Sequence, residues 1–256
     1  MCGRYTLFGN WKSKLPPGTI PDEFHEFQDE IDNYNVSPLQ TMPIITKDDS
    51  HLHLRAMEWG LIPSWAKDAS LASSMINARS ETIQEKPSFK QAFRKRRCLV
   101  PMSGFYEWAS STTNKKQPVY CNYSDEELML AAGIWEDWVD PHNQCKHHTF
   151  TIITVPANRV LERFHERMPA FIDQGHMNDW LYDDEKAVHL LKTLPDKKLA
   201  THFVSQLVNN SSTNGPELIE ECQPIIDESS IVATKPPGKS KKGLLPKNHS
   251  NQEGLF

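Results

Sequence analysis

Polar and apolar residues alternate from Arg4 to Phe8, a period-two pattern that predicts a strand running out of the amino terminus. Pro16-Pro17-Gly18 then breaks the chain as a turn. Between Asp22 and Ile31 the spacing changes: Phe24, Phe27 and Ile31 fall on one side of a helical turn and predict a short amphipathic helix. Tyr34 to Pro38 reads as loop. Ile44-Ile45-Thr46 and Leu52 to Trp59 flank Asp48-Asp49-Ser50 as a hairpin. Pro87 to Arg97 predicts a helix with proline in its first turn and a basic end that complements the dipole. Three strands are expected next, at Cys98 to Trp108, Pro118 to Tyr123 and Leu128 to Trp138. Thr149 to Val155, rich in β-branched residues, makes another. Asn158 to Glu166 and Asp184 to Leu194 are predicted helices, and His202 to Val208 a late strand. The sum is an α+β fold: a curved, barrel-like, mostly antiparallel β-sheet core surrounded by short helices. Residues 1–227 form one domain on this reading. Residues 228–256, rich in Ser, Pro, Gly and Lys, form a disordered tail.

Composition narrows the function classes. The 256 residues are 38% hydrophobic and 24% charged with a net charge of −5, so any anionic partner must be met by a local basic patch. Five scattered cysteines (Cys2, Cys98, Cys121, Cys145, Cys222), without a Cys-x-x-Cys pair or a secretory segment, indicate a reducing compartment. No apolar run is long enough to span a bilayer, and no internal repeat is visible. His142, Cys145, His147 and His148 invite a zinc reading. Asp140 to Gln144, however, has the composition of a hairpin turn, and no second ligand pair stands at finger spacing. No metal or cofactor is expected.

The reactive candidate is Cys2. Removal of Met1 would leave a free α-amine and a thiol on adjacent carbons, with ordinary pKa values of about 8 and about 8.5. Such an aminothiol can condense with an aldehyde and close a five-membered thiazolidine, or act as an N-terminal nucleophile with its own amine as base. Cys2 could equally be an inert cysteine at the start of a strand. Four further segments place polar side chains in loops or at strand ends, where sites usually sit: Trp59 to Trp65, Asn77 to Thr82, Gly104 to Trp108 and His165 to Pro169.

Together with Met1-Cys2-Gly3-Arg4, these segments resemble the SRAP family, the SOS-response-associated peptidases, which includes abasic-site DNA–protein crosslink proteins of bacteria and eukaryotes. The resemblance runs from Cys2 to about Glu217, where Asn214 to Ile219 gives a late match. It implies that mature Cys2 attacks the open-chain aldehyde of an abasic site in single-stranded DNA, forms a Schiff base and closes a thiazolidine that shields the lesion. Glu107, flanked by Phe105, Tyr106 and Trp108, would be the proton shuttle, though on an alternating strand it could simply face solvent. His165 would be a second acid/base, or else a surface histidine. Asn77 would position the amine or the sugar, or serve only as a turn residue. Arg4, Arg79 and Arg167 match phosphate-gripping positions, with Trp65, ahead of Trp59, and Pro38 on the DNA-binding side. Lys90, Arg94, Lys95, Arg96 and Arg97 form a denser basic cluster that is either a DNA patch or a solvated helix end.

The family name further implies peptidase activity, self-removal of Met1 or reversal of the adduct. Schiff-base chemistry allows lyase activity as well. Two alternatives stand beside this reading: an N-terminal-nucleophile amidohydrolase, and a non-catalytic single-strand DNA binder. Gln252, Leu255 and Phe256 suggest a peptide for a sliding clamp. The expected protein is a monomer inside the cell, in the nucleus of a eukaryote or the nucleoid-bearing cytoplasm of a bacterium.

Overall fold

A computed structural model describes residues 2–19, 31–48, 51–112 and 116–232. Within them, β3 (Thr41–Lys47) and β4 (Leu52–Trp59) form the expected hairpin, paired antiparallel from Thr41↔Glu58 to Lys47↔Leu52. β3 also pairs with β6 (Arg97–Met102), and β6 pairs along its whole length with β9 (Met129–Val139). β9 pairs with β10 (Lys146–Pro156), which returns to β4 in parallel and so closes a five-stranded barrel. Ile44, Leu54, Leu99, Ile134, Phe150 and Ile152 from these strands are all buried in the hydrophobic core.

The second sheet is antiparallel and has the order β12-β8-β7-β1-β2. These strands are Leu199–Phe203, Lys116–Tyr123, Gly104–Ser111, Tyr5–Leu7 and Asn33–Val36 respectively. Register sets its two faces. Tyr5 lies opposite Phe105, and Phe105 opposite Cys121, so these three share the face that packs on the barrel core. Tyr106, Tyr120, Val204, Val208 and Leu218 form a separate apolar cluster. Gly104 has no side chain for a steric reason: a Cβ there would meet the Tyr120 hydroxyl at 2.3 Å. Helices α1 (Pro87–Lys95), α2 (Met177–Tyr182) and α3 (Asp184–Leu190) cover the outside. The α+β, barrel-like architecture expected from the alternation is the one observed.

Several local expectations need correction. Tyr34 to Val36, read as loop, belongs to strand β2, because this edge pairs with β1 at Tyr5↔Val36. The single strand expected from Cys98 to Trp108 is two, β6 and β7, broken at Ser103 and assigned to different sheets. Asn158 to Glu166 is not a helix. The Asn158 side chain accepts from Leu161 N–H and holds the segment in successive turns. The predicted strand from His202 to Val208 is β12 only as far as Phe203, followed by a 3-10 turn at Gln206–Asn209. The helix expected from Asp22 to Ile31 lies outside the described residues except for Ile31. Of the tail, Ile231–Val232 forms β13, which pairs with Ser110 and Ser111 of β7. Residues 233–256, including the clamp-binding candidates Gln252, Leu255 and Phe256, lie outside the described residues. No helix among the described residues is long and apolar enough to cross a membrane.

Candidate active site

The end of β10 is where the candidate residues converge. Thr154 pairs on one side with Arg79 of β5 (Asn77–Arg79) and on the other with Pro169 of β11 (Arg167–Pro169). Two of the sequence segments, widely separated along the chain, thereby meet across one residue. From β5, Asn77 Nδ2 donates to the Cys2 carbonyl at 2.7 Å, which draws the amino terminus onto the barrel rim. Asn77 therefore touches Cys2 directly, through its carbonyl.

Cys2 is fully buried. Its thiol points toward the Arg4 carbonyl at 3.8 Å, a weak contact. Burial, reinforced by the nearby Glu107 charge, pushes the thiol up to about 12, so it is held as S–H. Glu107 lies on the inner row of β7, two residues beyond Phe105. The Tyr106 N–H donates to the Arg4 carbonyl, which extends the strand pairing and brings Glu107 level with Gly3, beside Cys2. The carboxyl is 3% exposed, and burial raises it to about 7 against the opposing amino-terminal charge. The solvent-facing alternative for Glu107 is excluded by this burial. A carboxyl in that range both gives and accepts protons near neutrality.

His165 closes the turn that leads into β11. Its Nδ1 accepts the Arg167 N–H at 2.9 Å, which leaves the ring proton on Nε2. Burial, with the amino-terminal charge, lowers this imidazole to about 4. At neutral pH it is an uncharged donor, unlike a surface histidine.

The three arginines differ. Arg79 is exposed, 3.9 Å from Glu166, and is open to a phosphate. Arg4 instead donates Nη1 to Asn35 Oδ1 at 2.6 Å and to the Val208 carbonyl at 2.7 Å, tying the Val208–Thr213 loop to β1. Arg167 is 7% exposed and forms a fork on Glu81, at 2.5 and 2.9 Å, with a further bond to the Thr154 carbonyl. Its guanidinium ties the turn after β5 to β10 and β11, and a phosphate could reach it only in competition with Glu81. Glu81 was within reach of sequence reasoning, since it lies in the Asn77–Thr82 segment, but its partner is distant in sequence. Of the two tryptophans weighed, Trp59 is buried and Trp65 is 60% exposed. Pro38 is half-buried in the turn after β2. Arg96 pairs with Glu136, and Arg97 is buried against Asp184, so only Lys90, Arg94 and Lys95 of the basic cluster remain solvent-facing. In the zinc candidate, His148 pairs with Asp137 at 2.6 Å and His147 packs on the Trp138 ring. A cleft of about 1070 Å³ lined by Pro17, His51, Gln174, Met177 and Tyr182 contains none of these groups. The candidate site rests on its chemistry, not on cavity size.

The chain is 37% identical over 224 residues to the abasic site processing protein YoqW of Bacillus subtilis, covering 86% of this chain and 99% of that one. It is 33% identical over 248 residues to the abasic site processing protein HMCES of Mus musculus, covering 81% of this chain and 68% of that one. A crystal structure of a Bacteroides thetaiotaomicron protein superposes with a TM-score of 0.75 at 28% identity, over 87% of this chain and all of the other. Residues 1–211 match the sequence model of the SOS response associated peptidase family, and the chain belongs to that family, SRAP.

Proposed function

We propose that this protein processes abasic sites by capturing them covalently through mature Cys2, on single-stranded DNA. The observation that carries the reading is a buried aminothiol residue set beside a buried carboxyl poised near neutrality, with its carbonyl fixed by Asn77. After Met1 is removed, the amine of Cys2 adds to the sugar aldehyde and water leaves, giving an imine. The thiol then adds across the C=N bond, with sulfur on carbon and the proton on nitrogen. One water is lost overall. Glu107 carries the two amine protons in turn to the departing oxygen, then relays the thiol proton to the imine nitrogen; a thiol held as S–H needs such a base. His165 offers its Nε2–H to a sugar oxygen. Arg79 meets phosphate and Trp65 offers an exposed ring for stacking. The peptidase of the family name corresponds, on this reading, to release of Met1, and the imine stage leaves strand scission or reversal open to the same residues.

The test is incubation with an oligonucleotide bearing one abasic site, followed by denaturing electrophoresis and mass spectrometry of the amino-terminal peptide. The expected product is a heat-stable adduct on Cys2 with the mass of the components less one water. Reversible binding without such an adduct would leave a non-catalytic single-strand binder. Hydrolysis of glutamine without an adduct would point to an amidohydrolase.

A further inference from the structure

Burying a hydroxyl without a hydrogen-bond partner costs desolvation free energy with nothing returned, so each such group in a folded protein calls for an explanation. The Tyr5 hydroxyl is one. Tyr5 is fully buried, and its oxygen has no partner among the described residues. A phenylalanine would fill the same space without that cost. Other buried polar atoms lacking partners in this corner include Asn77 Oδ1, on the side chain whose nitrogen holds Cys2.

The placement of Tyr5 is set by strand register. It lies opposite Phe105, on the same face of the sheet as Glu107 and Cys121 and three residues from Cys2. Cross-strand diagonals of this kind are within reach of an aromatic side chain. Its ring packs edge-on against Trp59 at 5.2 Å. Trp59 Nε1 donates to the Ile76 carbonyl, and the next residue, Asn77, reaches Cys2. Tyr5 is thus locked into the group of side chains that positions the nucleophile. Burial, and the Cys2 sulfur nearby, hold the phenol well above its ordinary range, so it is a donor and not a base.

We propose that the Tyr5 hydroxyl is a hydrogen-bond donor to the substrate oxygen, pre-set in the apo protein and satisfied only when the abasic sugar is bound. This inference rests on the covalent-capture reading above. In the addition step the Cys2 nitrogen forms its bond to the aldehyde carbon as the carbonyl electron pair moves onto oxygen. Tyr5 O–H donates to that oxygen while Glu107 carries first one and then the second nitrogen proton to it, and the oxygen leaves as water with both. Tyr5 ends the cycle unchanged. Asn77 Oδ1 is positioned to accept from a sugar hydroxyl in the same complex.

The experiment compares the parent, Tyr5→Phe and Cys2→Ala on an abasic oligonucleotide. It records the rate of stable adduct formation, the dissociation constant on a non-reactive tetrahydrofuran analogue, and the melting temperature. Tyr5→Phe is expected to form the adduct about 10²-fold more slowly, the usual effect of deleting one donor to a developing oxyanion. Its affinity for the analogue should stay within about twofold, and its melting temperature should be equal or higher because an unsatisfied hydroxyl has been removed. An unchanged rate would overturn the proposal. So would a slower rate accompanied by a lower melting temperature or failure to fold, since the hydroxyl would then be structural. If the parent itself forms no adduct above the Cys2→Ala background, it is the capture reading that fails, and the two failures are distinguishable.

Discussion

At the scale of single residues, the candidate site runs on displaced proton affinities, and these leave a signature in stability. Glu107 titrates near 7 in the folded chain against an ordinary value of 4.5. Between those pH values the native state holds more protons than the unfolded state, so stability falls as pH rises through the window and is level above it. The full displacement corresponds to about 3 kcal/mol. Glu107→Gln keeps the shape without the charge. We expect its urea-denaturation free energy to lose most of this slope between about pH 4.5 and 7, making it the more stable protein at pH 8. Its adduct formation should nevertheless be slower by about 10²- to 10⁴-fold, the usual range for a lost acid/base group. A variant that is equally fast, or that keeps the parent slope, would remove Glu107 from this role. Arg79 belongs to a different class of effect. It is exposed and carries its charge at the rim, so Arg79→Ala should weaken binding to single-stranded oligonucleotides and reduce the log–log salt slope by about 0.7. A variant with normal binding and a defect only in chemistry would contradict the phosphate role.

At the scale of elements, the strands were legible where both partners are local or the alternation is strong. The hairpin of β3 and β4 and the long strands β9 and β10 lie close to where the pattern puts them. Errors fell where a distant partner decides. Asn158 to Glu166 has helical spacing, but the Asn158 side chain captures Leu161 N–H, and the neighbouring turn must deliver Arg167 to β10. Tyr34 to Pro38 has turn composition, yet β1 claims its first three residues, Tyr34 to Val36, for the edge strand β2. The site shows the same division. Cys2, Asn77, Glu107 and His165 carry visible chemistry, whereas the Glu81 fork on Arg167 and the Asn35 bonds connect residues far apart in sequence. Asn35 makes the consequence testable. It is buried, accepts from Arg4, and donates Nδ2 to the Asn210 and Thr213 carbonyls at 3.0 and 2.8 Å. Asn35→Ala removes one acceptor from Arg4, which keeps the Val208 carbonyl, and the donor shared by the Asn210 and Thr213 carbonyls, and should cost about 1–2 kcal/mol in chemical denaturation. Proteolysis should then begin within residues 208–213. A loss below about 0.5 kcal/mol would show that the loop is held by other contacts.

At the scale of the whole molecule, a net charge of −5 does not draw DNA by bulk attraction, so on the proposed reading capture would rest on local groups such as the exposed Arg79 beside one chemically special end of the chain. Binding and reaction therefore separate. Inserting a lysine between Met1 and Cys2 should block release of Met1 and keep the α-amine of Cys2 in a peptide bond, with its lone pair delocalised into the carbonyl. Such an amine cannot form an imine, and without an imine no thiazolidine can close. The fold should tolerate the change, because Cys2 is already fully buried in a chain that carries Met1 ahead of it. Arg79 and Trp65 are untouched, so affinity for single-stranded DNA should stay within about threefold, or about 0.6 kcal/mol. The thiol also remains, which makes the outcome diagnostic: a thiol acting alone, with Glu107 as its base, could still add to the aldehyde as a hemithioacetal. That product is reversible and would not survive denaturing electrophoresis. We expect the stable adduct to vanish while binding persists. Undiminished crosslinking by a protein shown by mass spectrometry to carry the extension would refute the aminothiol mechanism.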